Sequence, residues 1–190
     1  MVYYLLYLDL NFIFILKDHC FQVDQADMAL CPNLLKLALN NNRILVVQDS
    51  AFRRLDKLTN LDLSGNFIGR LAGPALAGLA SLQSFNLSRN RLNLLDIFPT
   101  DLAQLKILDL SFNEIGALEA KSFHYLINLV KLDLKSNKIS QISPDVFLPE
   151  QSLKGLDLRS NRLEKLPYAA IDVVQNTLEA LHIEGGLEIT

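Results

Sequence analysis

Asparagine recurs at positions 42, 66, 90, 113, 137 and 161, each time inside the frame L-x-x-L-x-L-x-x-N-x-L/I, so the steps are 24, 24, 23, 24 and 24 residues. A fixed period of this kind constrains the fold more than any other feature of the chain. One small unit is repeated, and no unit can bury its apolar side except against the next. The six blocks read Leu34-Leu37-Leu39-Asn42-Ile44, Leu58-Leu61-Leu63-Asn66-Ile68, Leu82-Phe85-Leu87-Asn90-Leu92, Leu105-Leu108-Leu110-Asn113-Ile115, Leu129-Leu132-Leu134-Asn137-Ile139 and Leu153-Leu156-Leu158-Asn161-Leu163. They account for much of an unusual composition, in which 41 of 190 residues are leucine.

The spacing has a direct physical reading. L-x-L alternates with period 2, so each block holds a short strand with its leucines on one face. Such a strand buries nothing alone. Stacking successive units pairs the strands in parallel and merges their leucines into one core. Each run ends at Asn, where the chain must turn, and the side-chain amide satisfies backbone groups that a turn leaves open. In register, the six amides form a ladder that is scaffold, because the need to satisfy buried backbone groups already accounts for it.

These blocks resemble the leucine-rich repeat superfamily, specifically its typical 24-residue class. That class adds a Phe six residues before the next block, and Phe52, Phe123 and Phe147 stand there, with Leu76 and Met28 filling the same slot. The resemblance covers residues 34–163 firmly and 10–33 and 164–190 loosely. It implies an α/β solenoid forming a single domain over 1–190, with parallel strands on a concave face and irregular or short helical segments on the convex side. The class is most familiar from cell-surface and secreted recognition proteins, such as Toll-like receptors and chaoptin-like adhesion proteins. The implied partner is therefore a protein, and the implied location extracellular or at the cell surface. A cytosolic scaffold or regulatory subunit stays open, as does a fragment of a larger enzyme whose catalytic domain lies elsewhere.

The ends are less regular. Leu10-x-x-Ile13-x-Ile15-x-x-Asp18-x-Cys20 keeps the phase, 24 residues before the first firm block. Residues 1–16 are so apolar that a signal or membrane anchor competes with a degenerate repeat, although Asp9 and Asn11 interrupt the run and no Lys or Arg precedes it. Any membrane association would run through that segment or through regions outside this sequence. Downstream, Leu178-x-x-Leu181-x-Ile183 opens a further block after a 25-residue step, with Gly186 in the Asn slot and Glu188 in the next apolar slot. No cysteine-rich cap accompanies either end, so self-association through open ends is expected. Cys20 and Cys31 fall on inward slots, where buried thiols compete with a disulfide between them.

A search for reaction chemistry is negative. His19, His124 and His182 are scattered over different repeats without ligand or triad spacing to a partner. Phosphate-binding, dinucleotide-binding, metalloprotease and nucleophile-elbow motifs are all missing. Neither an enzyme, a small-molecule substrate, a cofactor nor a metal is expected. With Lys+Arg 18 against Asp+Glu 21, no basic field neutralises a phosphate backbone, and nucleic acid is not an expected partner.

The outward side of each strand remains. Its central positions are Ala38, Asp62, Asn86, Asp109, Asp133, Asp157 and His182, with Lys131, Lys135, Lys154 and Arg159 beside the acidic stripe. L-D-L is also a common filler for such strands. The fourth firm repeat departs from the polar pattern with Ile107 and Phe112, where Ile107 faces counterparts Lys36, Asn60, Ser84, Lys131 and Gly155. An apolar centre with a charged rim is the anatomy of a protein-binding patch. The candidate site is therefore Ile107 and Phe112 as anchors, with Asp109, Lys131, Asp133, Lys135, Asp157 and Arg159 setting orientation and partner choice. Asn86-Leu87-Ser88 is the chain's single N-x-S/T sequon and would place a glycan on the same face.

Overall fold

Every leucine block supplies one three-residue strand to a single eight-stranded parallel sheet. In a computed structural model describing residues 13–15, 22–23, 32–148, 151–184 and 188–189, these strands are β1 (Ile13–Ile15), β3 (Lys36–Ala38), β5 (Asn60–Asp62), β6 (Ser84–Asn86), β7 (Ile107–Asp109), β9 (Lys131–Asp133), β11 (Gly155–Asp157) and β13 (Ala180–His182). They lie side by side in chain order. The middle residue of each interior strand points inward, so Leu37, Leu61, Phe85, Leu108, Leu132 and Leu156 are all buried. Pairing joins them directly: Leu61 lies level with Phe85, Phe85 with Leu108, and Leu108 with Leu132. This is the parallel solenoid that the spacing demands.

The return path is less regular. Shorter strands β2 (Gln22–Val23), β4 (Val46–Val47), β8 (Ala117–Leu118), β10 (Gln141–Ile142), β12 (Lys165–Leu166) and β14 (Glu188–Ile189) form three two-stranded parallel ladders. Between them, among the described residues, run turns, 3-10 segments at Gly73–Leu76 and Thr100–Gln104, and one short helix, α1 (Tyr168–Asp172). Periodicity gave no warning of the outer ladders, because two-residue strands leave no alternation to read.

The asparagine ladder forms as expected. Asn113 Oδ1 accepts the Leu92 N–H at 3.0 Å, while its Nδ2 donates to the carbonyls of Leu87 and Leu110, both at 3.0 Å. The same arrangement recurs at Asn66, Asn90, Asn137 and Asn161. Each amide therefore ties two consecutive coils together. At the start of the ladder, the buried Oδ1 of Asn42 has no donor among the described residues.

Phenylalanines form a second seam. Phe52, Leu76, Phe123 and Phe147 are buried in the expected slot. Phe123 stacks on Phe147 at 5.7 Å between ring centroids, and also on Phe98 at 6.0 Å. Phe98 is not in the phase of that slot. It joins the seam within the 23-residue repeat, whose slot six residues before the next block holds Pro99.

One register differs from expectation. The pattern puts Ile13 level with Leu37, but Phe14 takes that level, with Ile13 beside Lys36 and Ile15 beside Ala38. Residues 12 to 16 are all apolar, so alternation cannot fix which of them aligns with the core slot. At the other end the 25-residue step holds, with Leu181 level with Leu156. Glu188 lies in β14, paired with Lys165 of β12. Cys20, Cys31, Met28 and Gly186 lie outside the described residues.

Candidate functional site

The outward face of the eight-stranded sheet carries two rows. The first strand positions give Lys36, Asn60, Ser84, Ile107, Lys131, Gly155 and Ala180; the third give Ala38, Asp62, Asn86, Asp109, Asp133, Asp157 and His182. Each row places side chains about 4.8 Å apart along the arc. Ile107 thus stands between Ser84 and Lys131, and Asp109 between Asn86 and Asp133.

The carboxylates have a structural task that the sequence did not reveal. Asp62 Oδ1 accepts the Ser64 N–H, Asp109 Oδ1 the Ser111 N–H and Asp133 Oδ1 the Lys135 N–H, each at 2.9 Å; Asp157 Oδ1 accepts the Arg159 N–H at 3.0 Å. Asn86 Oδ1 does the same for the Ser88 N–H at 2.9 Å. Five successive repeats therefore end the strand with the same side-chain turn, which explains why Asp or Asn recurs there. One oxygen of each carboxylate belongs to the scaffold; the second is left for the surface in Asp62, Asp109 and Asp133 and is taken by Arg159 in Asp157.

Along this stripe the charges are unevenly balanced. Burial, reinforced by the like charges of Asp109 and Asp157, holds the Asp133 carboxyl above the usual range, although the Lys135 N–H and ammonium pull the other way. Burial also pushes Asp157 upward, but the Arg159 guanidinium outweighs it and holds that carboxyl below the usual range. Arg159 donates to both oxygens of Asp157, at 2.6 Å to Oδ2 through Nη2 and at 3.1 Å to Oδ1 through Nε. Lys154 pairs with Glu179 at 2.7 Å instead of with the stripe.

Phe112 follows the strand in a left-handed turn, with φ of 56°. Asn41, Gly65, Arg89, Ser136 and Ser160 occupy the same slot with positive φ, and Phe112 donates its N–H to the Lys135 carbonyl at 2.9 Å. The Arg89 guanidinium lies 4.6 Å from the centroid of the Phe112 ring. This stack is favourable by about 0.5–1 kcal/mol at an exposed site. Even so, Phe112 stays 42% exposed and Ile107 45%. Six of the expected site residues are thereby brought together on adjacent strands: Ile107, Asp109, Phe112, Lys131, Asp133 and Lys135. Asp157 and Arg159 stand one strand further on and are engaged with each other. Arg89 stands against this candidate site through Phe112 and was not foreseen; its signal is that it shares the Phe112 slot one repeat earlier.

Among the described residues no group of three or more His, Cys, Asp or Glu side chains is arranged to hold a metal ion. No helix of the described residues is long and apolar enough to cross a membrane.

Residues 32–92 and 103–163 match a family model described as "Leucine rich repeat", and together these spans exceed half of the chain. The chain belongs to the leucine-rich repeat family. Among the relatives of this leucine-rich repeat protein, Podocan-like protein 1 of Mus musculus is 41% identical over 106 residues, covering 43% of this chain and 19% of that protein. Opticin of Bos taurus is 32% identical over 171 residues, covering 85% of this chain and 52% of Opticin. Adenylate cyclase of Podospora anserina is 33% identical over 120 residues, which span 51% of this chain and 6% of the cyclase. The solved structure of the TLR13–ssRNA13 complex superposes with a TM-score of 0.76 at 28% identity, over 86% of this chain and 23% of that one. The chain thus spans about a fifth of the Podocan-like relative and half of Opticin.

Proposed function

We propose that this protein is a non-catalytic recognition module whose concave face binds a protein ligand around β7 and β9, in an extracellular or cell-surface setting. The observation that carries the reading is Ile107. It stands half-exposed in a row whose other members from β3 to β13 are polar or small, and the exposed Phe112 follows in the turn that ends the same strand. Ile107 and Phe112 supply the apolar centre, while Asp109, Lys131, Asp133 and Lys135 form the charged rim. Asp157 and Arg159, already paired, extend the rim toward β11. Podocan-like protein 1 and Opticin support this reading as relatives, as does the likeness to TLR13.

TLR13 holds ssRNA in the structure compared above. Here Asp62, Asp109, Asp133 and Asp157 line the outward row and the chain's net charge is −3, so the reading names a protein and not a phosphate backbone. The likeness to an adenylate cyclase supports a second reading, in which such repeats sit within a larger enzyme. The same face would then bind that enzyme's partner.

The test starts from a protein partner recovered on the immobilised full chain. An Ile107→Glu, Phe112→Ser double variant that keeps the parent's circular dichroism and unfolding midpoint is expected to bind it more than tenfold more weakly, about 1.4 kcal/mol. Equal affinity would remove these residues from the interface.

A further inference from the structure

We propose that Asn86 is an acceptor for an N-linked glycan, which projects from the concave face at β6. The fold explains the neighbouring residues of the sequon better than it explains Asn86 itself. Ser88 occupies a slot where Ser64 and Ser111 recur, and its N–H closes the turn found in five repeats. That turn needs a single oxygen acceptor. Aspartate provides it at 62, 109, 133 and 157, so an amide at 86 is not required by the turn.

The amide nitrogen is the atom that sets Asn86 apart. In the ladder, the Nδ2 atoms of Asn66, Asn90 and Asn113 each donate to carbonyls of two coils, and any substituent there would break buried bonds. Asn86 Nδ2 makes no hydrogen bond among the described residues, and only its Oδ1 holds the turn. A sugar on this nitrogen therefore leaves every fold hydrogen bond intact. It also has room, because the in-register neighbours Asp62 and Asp109 are short, and the other row carries Asn60 and Ser84 alongside.

The transfer is a substitution at the anomeric carbon. Asn86 Nδ2 attacks C1 of the first sugar of a lipid-pyrophosphate-linked oligosaccharide. The N–C1 bond forms, the bond from C1 to the pyrophosphate oxygen breaks, the lipid pyrophosphate leaves with that electron pair, and the nitrogen loses one proton. The donor acts on an extended chain, so burial of Ser88 after folding does not oppose it. Once in place, the glycan stands over the small polar floor of β5 and β6, with Asp109 of β7 as its in-register neighbour on the other side.

The experiment expresses the full chain behind a cleavable leader in a eukaryotic secretory host and reads intact mass before and after peptide N-glycosidase. The parent is expected to carry one enzyme-removable glycan whose removal leaves aspartate at position 86. Asn86→Asp, which restores the residue used by four neighbouring repeats, is expected to fold and to be secreted without that mass. Ser88→Thr is expected to keep the glycan. A parent chain secreted without glycan, beside a co-expressed control sequon that is modified, would overturn the proposal. So would a glycan that persists in Asn86→Asp. Mass alone decides the outcome, so failure here leaves the recognition reading untouched.

Discussion

The coil built on β9 and the two coils built on β11 and β13 share the L-x-x-L-x-L/I spacing, yet they differ in how completely they are satisfied. Leu132 of β9 is 2% exposed, whereas Leu181 of β13 is only partly buried. Asn137 is buried between two coils, while Asn161 is partly exposed and Leu163 beyond it only packs against the edge of the core. The left-handed turn residue Ser136 donates its N–H to the Arg159 backbone carbonyl at 2.9 Å, but the equivalent N–H of Ser160 goes to the Glu184 carboxylate. Identical motif residues therefore do not carry identical energies. A coil's contribution is set by what covers it on either side, as the nearest-neighbour character of repeat arrays requires.

The largest separation between the two regions should come from charge burial. Leu132→Asp puts an uncompensated carboxylate among stacked leucines and is expected to cost about 4 kcal/mol or more. The same change at Leu181 is expected to cost about half as much, because that side chain already meets water. Urea unfolding of both variants checks this, and an unchanged midpoint for Leu132→Asp would contradict the buried slot. Next in size is the ladder. Asn113→Ala strands the buried Leu92 N–H and removes two carbonyl partners, an expected loss of about 2–4 kcal/mol, against about 1 kcal/mol for Asn161→Ala. Equal losses at the two positions would mean that the β11 coil is as well covered as the interior.

The smallest effects are also the most specific, since they differ in sign on adjacent strands. The Asp157 carboxyl is held down in the folded chain, so its contribution is present above the unfolded carboxylate pKa and is lost as pH falls through the folded value. Asp157→Asn is therefore expected to lower stability at neutral pH by less than about 1 kcal/mol, with the difference vanishing in acid. Asp133 is shifted upward, so the native state binds its proton more tightly and stability falls as pH rises from the unfolded toward the folded value. Asp133→Asn keeps the turn acceptor, as Asn86 does, and is expected to raise stability slightly at neutral pH and not in acid. Unfolding midpoints taken between about pH 3 and pH 7 test both signs. Shifts of the same sign would remove the contrast.

Much of the architecture was legible because it rests on period and alternation. The strand centres, the buried leucines and the amide ladder follow from spacing alone, and the exposure of Ile107 follows from its parity within the strand. Where the signal was ambiguous, the reading slipped. The apolar run around Phe14 offered several equivalent phases, and the register came out one residue away from the expected one. Phe98 reached the aromatic seam from outside its slot, which only three-dimensional packing could decide. The turn made by each outward Asp was hidden because the same letter serves equally well as a surface charge. The Arg89–Phe112 stack was hidden because its partners lie one repeat apart and meet only through the left-handed turn.

The strand register also has a consequence for chain length. Leu61 pairs with Phe85 across 24 residues, Phe85 with Leu108 across 23, and Leu156 with Leu181 across 25. Closing a loop of 25 residues instead of 23 changes its entropy by less than about 0.1 kcal/mol. The return path can therefore gain or lose a residue at almost no thermodynamic expense, as the stretch leading to Phe98 has done. No such freedom exists between Leu108 and Asn113, where one added residue would turn the strand's apolar set outward and pull the amide from its carbonyls. Insertions and deletions should therefore be confined to one side of the coil, so that the outer loops can drift in length while the inner rows stay in step.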